Sequence, residues 1–128
     1  MEKLEDFINK HRVNEEKSVD LPGYLLDLMN KYKIEKDSYI YKKANITKQA
    51  WSAIMSKKCT PSINTCIKII FAMKLNTHEC KYLLKKAGYT LASSSNYALI
   101  IRYCIENKIY DICELNEMLA QYNCPQID

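Results

Sequence analysis

Six cysteines (59, 66, 80, 104, 113 and 124) and two histidines (His11 and His78) are the residues of this 128-residue chain best suited to metal ligation or nucleophilic chemistry. Their spacing argues against both. No pair of cysteines has the two-to-four-residue gap of a zinc site, and the histidines form no ligand pair. His78 and Cys80 stand at i and i+2, which face apart on a helix. The chain has only two glycines, Gly23 and Gly88, so no glycine-rich loop can cradle a phosphate. The expectation is therefore no metal, no cofactor and no catalytic centre. Cys66, Cys104 and Cys113 fall on apolar faces of predicted helices, where a thiol serves as a small core hydrophobe.

The residues that remain chemically suggestive are cationic and hydrogen-bonding. Residues 31–90 carry thirteen lysines against only Glu35, Asp37 and Glu79, whereas residues 1–30 and 91–128 are each mildly acidic. A cationic middle between anionic flanks is the charge footprint of a polyanion-binding face. The alternative is a lysine-rich surface kept soluble by like-charge repulsion. Within this stretch, Thr47, Lys48, Gln49 and Ser52 are the expected exposed positions of a predicted helix, and all four can donate hydrogen bonds. A helix presenting such a face, amino end first, fits a major groove about 12 Å wide.

Two short helices must position that face, over DSYIYKKANITKQAWSAIMS at residues 37–56. The first begins near Asp37, whose carboxylate is expected to accept from unpaired amides, and turns Ile40, Tyr41 and Ala44 inward. Asn45 ends it, being one of the few non-glycine residues that tolerates the left-handed conformation. Thr47 caps the second, and Ala50, Trp51 and Ile54 bury its other side.

The rest of the chain is also patterned for helices. Leu4, Phe7, Ile8 and His11 predict a short amphipathic N-terminal helix, followed by a polar linker over 12–18. Asp20 and Pro22 open a helix over 21–33 striped by Tyr24, Leu25, Leu28, Met29 and Tyr32. Ser62 caps a helix carrying Ile63, Cys66, Ile67, Ile70, Phe71 and Met73. Thr77 is expected to cap one with Cys80, Leu83 and Leu84, closed by Gly88. Ser93–Ser95 open another with Leu99, Ile100, Tyr103, Cys104 and Ile109. Asp111 and Glu114 form a capping pair for the last, bearing Ile112, Leu115, Leu119 and Tyr122.

With 48% apolar residues and few glycines and prolines, a single all-α domain is expected rather than disorder or an all-β fold. No apolar run reaches membrane-spanning length, and the start, MEKLED, is too acidic for a secretory signal. The expected location is the cytoplasm, without membrane association.

Residues 24–89 resemble the phage-repressor-like (XRE, Cro-type) helix-turn-helix family. The resemblance rests on several residues in order. Ala44 precedes the turn, Asn45 stands where glycine is usual, and Ile46-Thr47 open the recognition helix. Ile54 is followed by a short basic loop, and Pro61-Ser62 lead to IIFAMKL at 69–75. LLKKAGY at 83–89 closes the unit. Two departures are Tyr41, where alanine is usual, and Trp51, where Val or Ile is usual; both predict a wider or re-angled helix pair. The segments at 103–112 and 114–119 resemble a C-terminal extension found in one subgroup of the family.

The resemblance implies a lambda-repressor-like five-helix DNA-binding domain at 20–91. A short N-terminal helix and linker at 1–19 precede it, and two extra helices at 92–128 follow. It also implies a small transcriptional regulator that binds double-stranded DNA with a recognition helix at about 47–56. From the residue chemistry, Gln49, Ser52 and Lys48 are the candidate base contacts, Gln49 being able to pair bidentately with adenine. Thr47, Lys57, Lys58, Ser62 and Lys43 are the candidate phosphate contacts. For Gln49 and Ser52 the alternative is a solvated helix face. No arginine occurs between residues 13 and 101, so little direct guanine readout is expected. Residues 92–124 either form a homodimer contact, through Leu99, Tyr103, Ile109, Leu115 and Leu119, or cap the core. The competing function is a protein-interaction adaptor or antitoxin-like module that keeps the fold without binding DNA.

Overall fold

The computed structural model describes residues 3–7 and 19–128, and among these the chain is helical with no strand. A helical turn covers residues 4–7. Ile8, His11 and the linker at 12–18 lie outside the described residues. Seven helices follow: α1 (Leu21–Lys31), α2 (Asp37–Lys43), α3 (Lys48–Met55), α4 (Ile63–Met73), α5 (Thr77–Lys86), α6 (Asn96–Glu106) and α7 (Ile112–Gln121).

Most helix starts follow from a single capping oxygen. Asp20, Thr47, Ser62, Ser95 and Asp111 each accept from an amide of the first turn, as their sequence positions predict. Two starts differ from expectation. Asn76, not Thr77, caps α5, because its carboxamide reaches the Glu79 amide while the Glu79 carboxylate returns to the Asn76 amide. Lys36 precedes α2 without a side-chain cap, and Asp37 is engaged elsewhere, as described below.

The helix ends share one device. Lys33, Asn45, Lys57, Lys74, Gly88, Lys108 and Asn123, one after each helix, all have positive φ. In each case the next amide bonds back across the turn, for example Ile46 to the Tyr41 carbonyl and Ile109 to the Cys104 carbonyl. Only α5 uses glycine for this stop. Helix α1 therefore closes at Lys31, short of the expected residue 33.

Helix α4 lies at the centre. It packs on α2 and on α5, and seven of its eleven residues are buried, including Ile69 and Ala72 beyond the expected apolar set. Helix α1 meets α3 and α5, and α6 joins α5 to α7. The C-terminal helices belong to the same core: Ile101, Cys104, Leu115 and Leu119 are buried with Leu25, Ile40 and Ile70. Leu115 and Leu119 are fully buried, so of the two alternatives for them, dimer contact or core, they belong to the core. Their i, i+4 spacing gives them to the core because α7 turns that stripe onto α6. Ile109 also packs against the core, whereas Leu99 and Tyr103 stay exposed. Cys113 is exposed, against the expectation of a core position, while Cys66 and Cys104 are buried as expected. The Tyr110 hydroxyl donates to the Leu75 carbonyl (2.8 Å), and Asn116 pairs with both backbone groups of Ile127, seating that side chain in the core.

Glu79 is the one buried charged side chain among the described residues, 3% exposed. Lys31 Nζ donates to Oε2 (2.7 Å), and the Tyr32 hydroxyl donates to Oε1 (2.5 Å) together with the Asn76 amide (3.0 Å). Burial works to raise the Glu79 carboxyl pKa, but the bonds from Lys31, Tyr32 and Asn76 outweigh it and leave it below its ordinary value. Burial, reinforced by the bond to Glu79, pushes the Tyr32 phenol up to about 12. These contacts tie the end of α1 to the start of α5.

Glu79→Gln should lower stability by roughly 1–3 kcal/mol, read from urea midpoints near neutral pH. Because the folded-state value is depressed, the charged carboxylate stabilises the wild type above about pH 4.3, the unfolded value, and that contribution fades as pH falls through the folded value. The variant should lack this component of the acid limb. At the left-handed stop after α4, Lys74→Val should cost roughly 1–2 kcal/mol, whereas Lys74→Gly should not destabilise; the same melts read both.

Candidate nucleic-acid interface

The face singled out in the sequence is carried by α3, and α3 is held by its own opposite side. Ala44 ends α2 in a buried position, Asn45 reverses the chain at φ 56°, and Thr47 caps α3 with Oγ1 accepting from the Ala50 amide at 3.0 Å. Trp51 and Ile54 are 2% and 3% exposed. The Trp51 indole N–H donates to Asp37 Oδ2 at 2.8 Å. Asp37, expected to cap α2, instead bridges the first turn of α2 to the middle of α3. A buried indole needs an acceptor, and this carboxylate supplies it. The bulk of Trp51 is thereby absorbed into the core, Tyr41 stays half-buried at the margin, and α2 and α3 remain in contact.

With Trp51 and Ile54 turned inward, Lys48, Gln49 and Ser52 point to solvent. Together with Ala53, Ser56 and Lys58 they line a shallow depression of about 390 Å³. Lys48 and Lys58 have no carboxylate partner among the described residues. Ser56 was not singled out by its sequence context, although it stands one turn beyond Ser52; its hydroxyl donates to the Ser52 carbonyl at 2.8 Å.

The other candidate contacts lie outside that depression. Thr47 is exposed, but its hydroxyl oxygen is already used as the cap. Ser62 is likewise the cap of α4, accepting from the Thr65 amide at 3.2 Å and donating to Thr65 Oγ1 at 3.1 Å. Lys43 folds onto Tyr39, with Nζ 2.9 Å from the hydroxyl and 4.8 Å from the ring centroid. Lys57 forms an ion pair with Asp20, the cap of α1. The hydrogen bond from Lys57, then that from the Gly23 amide, holds the Asp20 carboxyl below its ordinary value.

Two of the buried thiols are held in their neutral form. Burial pushes both Cys66 and Cys80 up to about 12, so each is protonated near neutral pH. Among the described residues no helix is long and apolar enough to cross a membrane, and no His, Cys, Asp and Glu cluster has the form of a metal site. No protein-family model, curated protein or solved structure matches the chain.

Trp51 is the sole tryptophan, so its fluorescence reports directly on the joint between α2 and α3. Asp37→Ala should leave the indole N–H without its partner, lower stability by roughly 1–2 kcal/mol, and change the emission of the folded protein. Unchanged emission and an unchanged urea midpoint would show that the Asp37 bond does not hold α3.

Proposed function

We infer that this protein is a small regulator with a lambda-repressor-like helix-turn-helix domain, and that it binds duplex DNA with α3 in the major groove. The observation that carries this reading is the outward face of α3. Lys48, Gln49 and Ser52 are solvent-facing beside Lys58, and Trp51 and Ile54 anchor the reverse side. Gln49 reads adenine through its carboxamide, Ser52 adds a less discriminating contact, and Lys48 reaches either a base edge or a phosphate. Lys58, Lys57 and Lys43 supply phosphate contacts, with the amide ends of α3 at Thr47 and α4 at Ser62. Lacking arginine between residues 13 and 101, the site has little direct guanine readout.

The second reading is a protein-interaction module that keeps the fold without the DNA role. The pairing of Lys57 with Asp20 and the capture of Lys43 by Tyr39 favour it, because both withdraw cations from a phosphate surface.

An electrophoretic mobility shift with random-sequence duplex at low salt separates the two readings. Wild type should shift the duplex, and Lys48→Ala/Gln49→Ala/Lys58→Ala should abolish the shift. With about four lysines engaged per protomer, log affinity should fall against log salt with a slope of roughly −3 to −4. Asp20→Asn keeps a capping oxygen but frees Lys57, and should raise affinity about two- to fivefold at low salt. Absence of a shift by wild type at tens of micromolar protein, within the range of about 1–100 μM for non-specific dissociation constants at physiological salt and well above it once low salt tightens binding, would leave the protein-interaction reading.

A further inference from the structure

A second surface lies entirely outside α2, α3 and their turn. Between α5 and α6, closed at one end by the 89–95 connection, is a groove of about 460 Å³. This falls within the size range of small-ligand sites, about 300–1,000 Å³. Its apolar lining comes from one stripe of each helix: Cys80 and Leu84 on α5, and Ala98, Leu99, Ile101 and Ile105 on α6, with Leu91 from the connection. Leu99 is 44% exposed at the mouth. The rim is cationic. Lys81 and Lys85 stand one turn apart on α5, with no carboxylate partner among the described residues. Arg102 faces them from α6, its Nε donating to Glu106 at 2.7 Å.

We propose that this groove is a binding site for a small amphipathic carboxylate, its alkyl body lying against Leu91 and Leu99 over a floor closed by the buried Leu84 and Ile101, and its head group held by Lys81 and Lys85. The apolar floor selects a hydrocarbon body, and the paired lysines select a negative head over a neutral one. A concave slot between two helices and a connection encloses a chain-like ligand on three sides. The Cys80 thiol, kept protonated by burial, adds no opposing charge to the floor.

The test uses the full chain without DNA, so its outcome is independent of the DNA-binding reading. The fluorescent probe 1-anilinonaphthalene-8-sulfonate, an aromatic anion, is titrated first and then displaced by dodecanoate below its micellar concentration. The expected result is saturable binding of one probe per chain, displaced competitively by dodecanoate. Leu99→Asp, which sets a carboxylate at the mouth, and Lys81→Glu/Lys85→Glu should each weaken dodecanoate at least about tenfold. Both change exposed side chains, and far-UV circular dichroism verifies that each variant folds; if one does not, the other decides. Dodecan-1-ol should compete at least about fivefold more weakly than dodecanoate. Failure to bind the probe, equal competition by the alcohol, or wild-type affinity in a folded variant would overturn the proposal. A concentration-dependent dimer that Leu99→Asp dissociates, without dodecanoate binding, would also overturn it by assigning the groove to a second copy.

Discussion

The orientation of α3 depends on where Trp51 goes. It is the largest side chain on a helix of eight residues, and only the interior can take it. Once it is buried, the helical repeat turns Gln49 and Ser52 away from the core, and Lys48, one turn before Trp51, stands exposed at the edge of that face. The Asp37 carboxylate completes the arrangement by accepting the indole proton from a neighbouring helix. The surface chemistry of this region is thus set from inside. A helix this short makes few hydrogen bonds of its own and depends on tertiary anchoring for both persistence and rotation.

A similar economy governs charge. The middle of the chain is rich in lysine, yet three carboxylates in or beside it are not passive neighbours. Asp20 caps one helix and holds Lys57, Asp37 supports Trp51, and Glu79 closes a capping box while binding Lys31 and Tyr32. Each sits where it satisfies a donor that would otherwise face the interior or a helix end. Lys48, Lys58, Lys81 and Lys85 are left without such partners, on two separate surfaces.

Much of this was legible in the sequence because helical periodicity and capping are local. The stripes of α1, α4 and α5, the caps at Asp20, Thr47, Ser62, Ser95 and Asp111, and the left-handed turn at Asn45 are all set by residues within one or two turns. The misreadings concern choices made at longer range. Asp37 had two possible uses, and only its distance to Trp51, fourteen positions on, decides between them. Asn76 and Thr77 are both good caps, and the reach of Glu79 selects the first. Leu99 and Leu115 look alike on a helical stripe, but the packing of α7 on α6 buries one and leaves the other at a groove. Ile127 lies beyond any periodic segment, and its burial follows from the pairing of its backbone with Asn116. At the candidate interface, the exposure of Lys48, Gln49 and Ser52 was readable from Trp51 and Ile54. The engagement of Lys57 with Asp20 was not, since it joins the start of α1 to the end of α3.

The seven left-handed stops also bear on the denatured chain. Six of them use lysine or asparagine, which sample far fewer backbone conformations than glycine when the protein is denatured. Each such residue pays a local steric penalty in the native turn but starts from a narrower ensemble, so it surrenders less disorder on ordering. Glycine-poor reversals of this kind shift part of the protein's stability away from its contacts and into the restricted freedom of its disordered form.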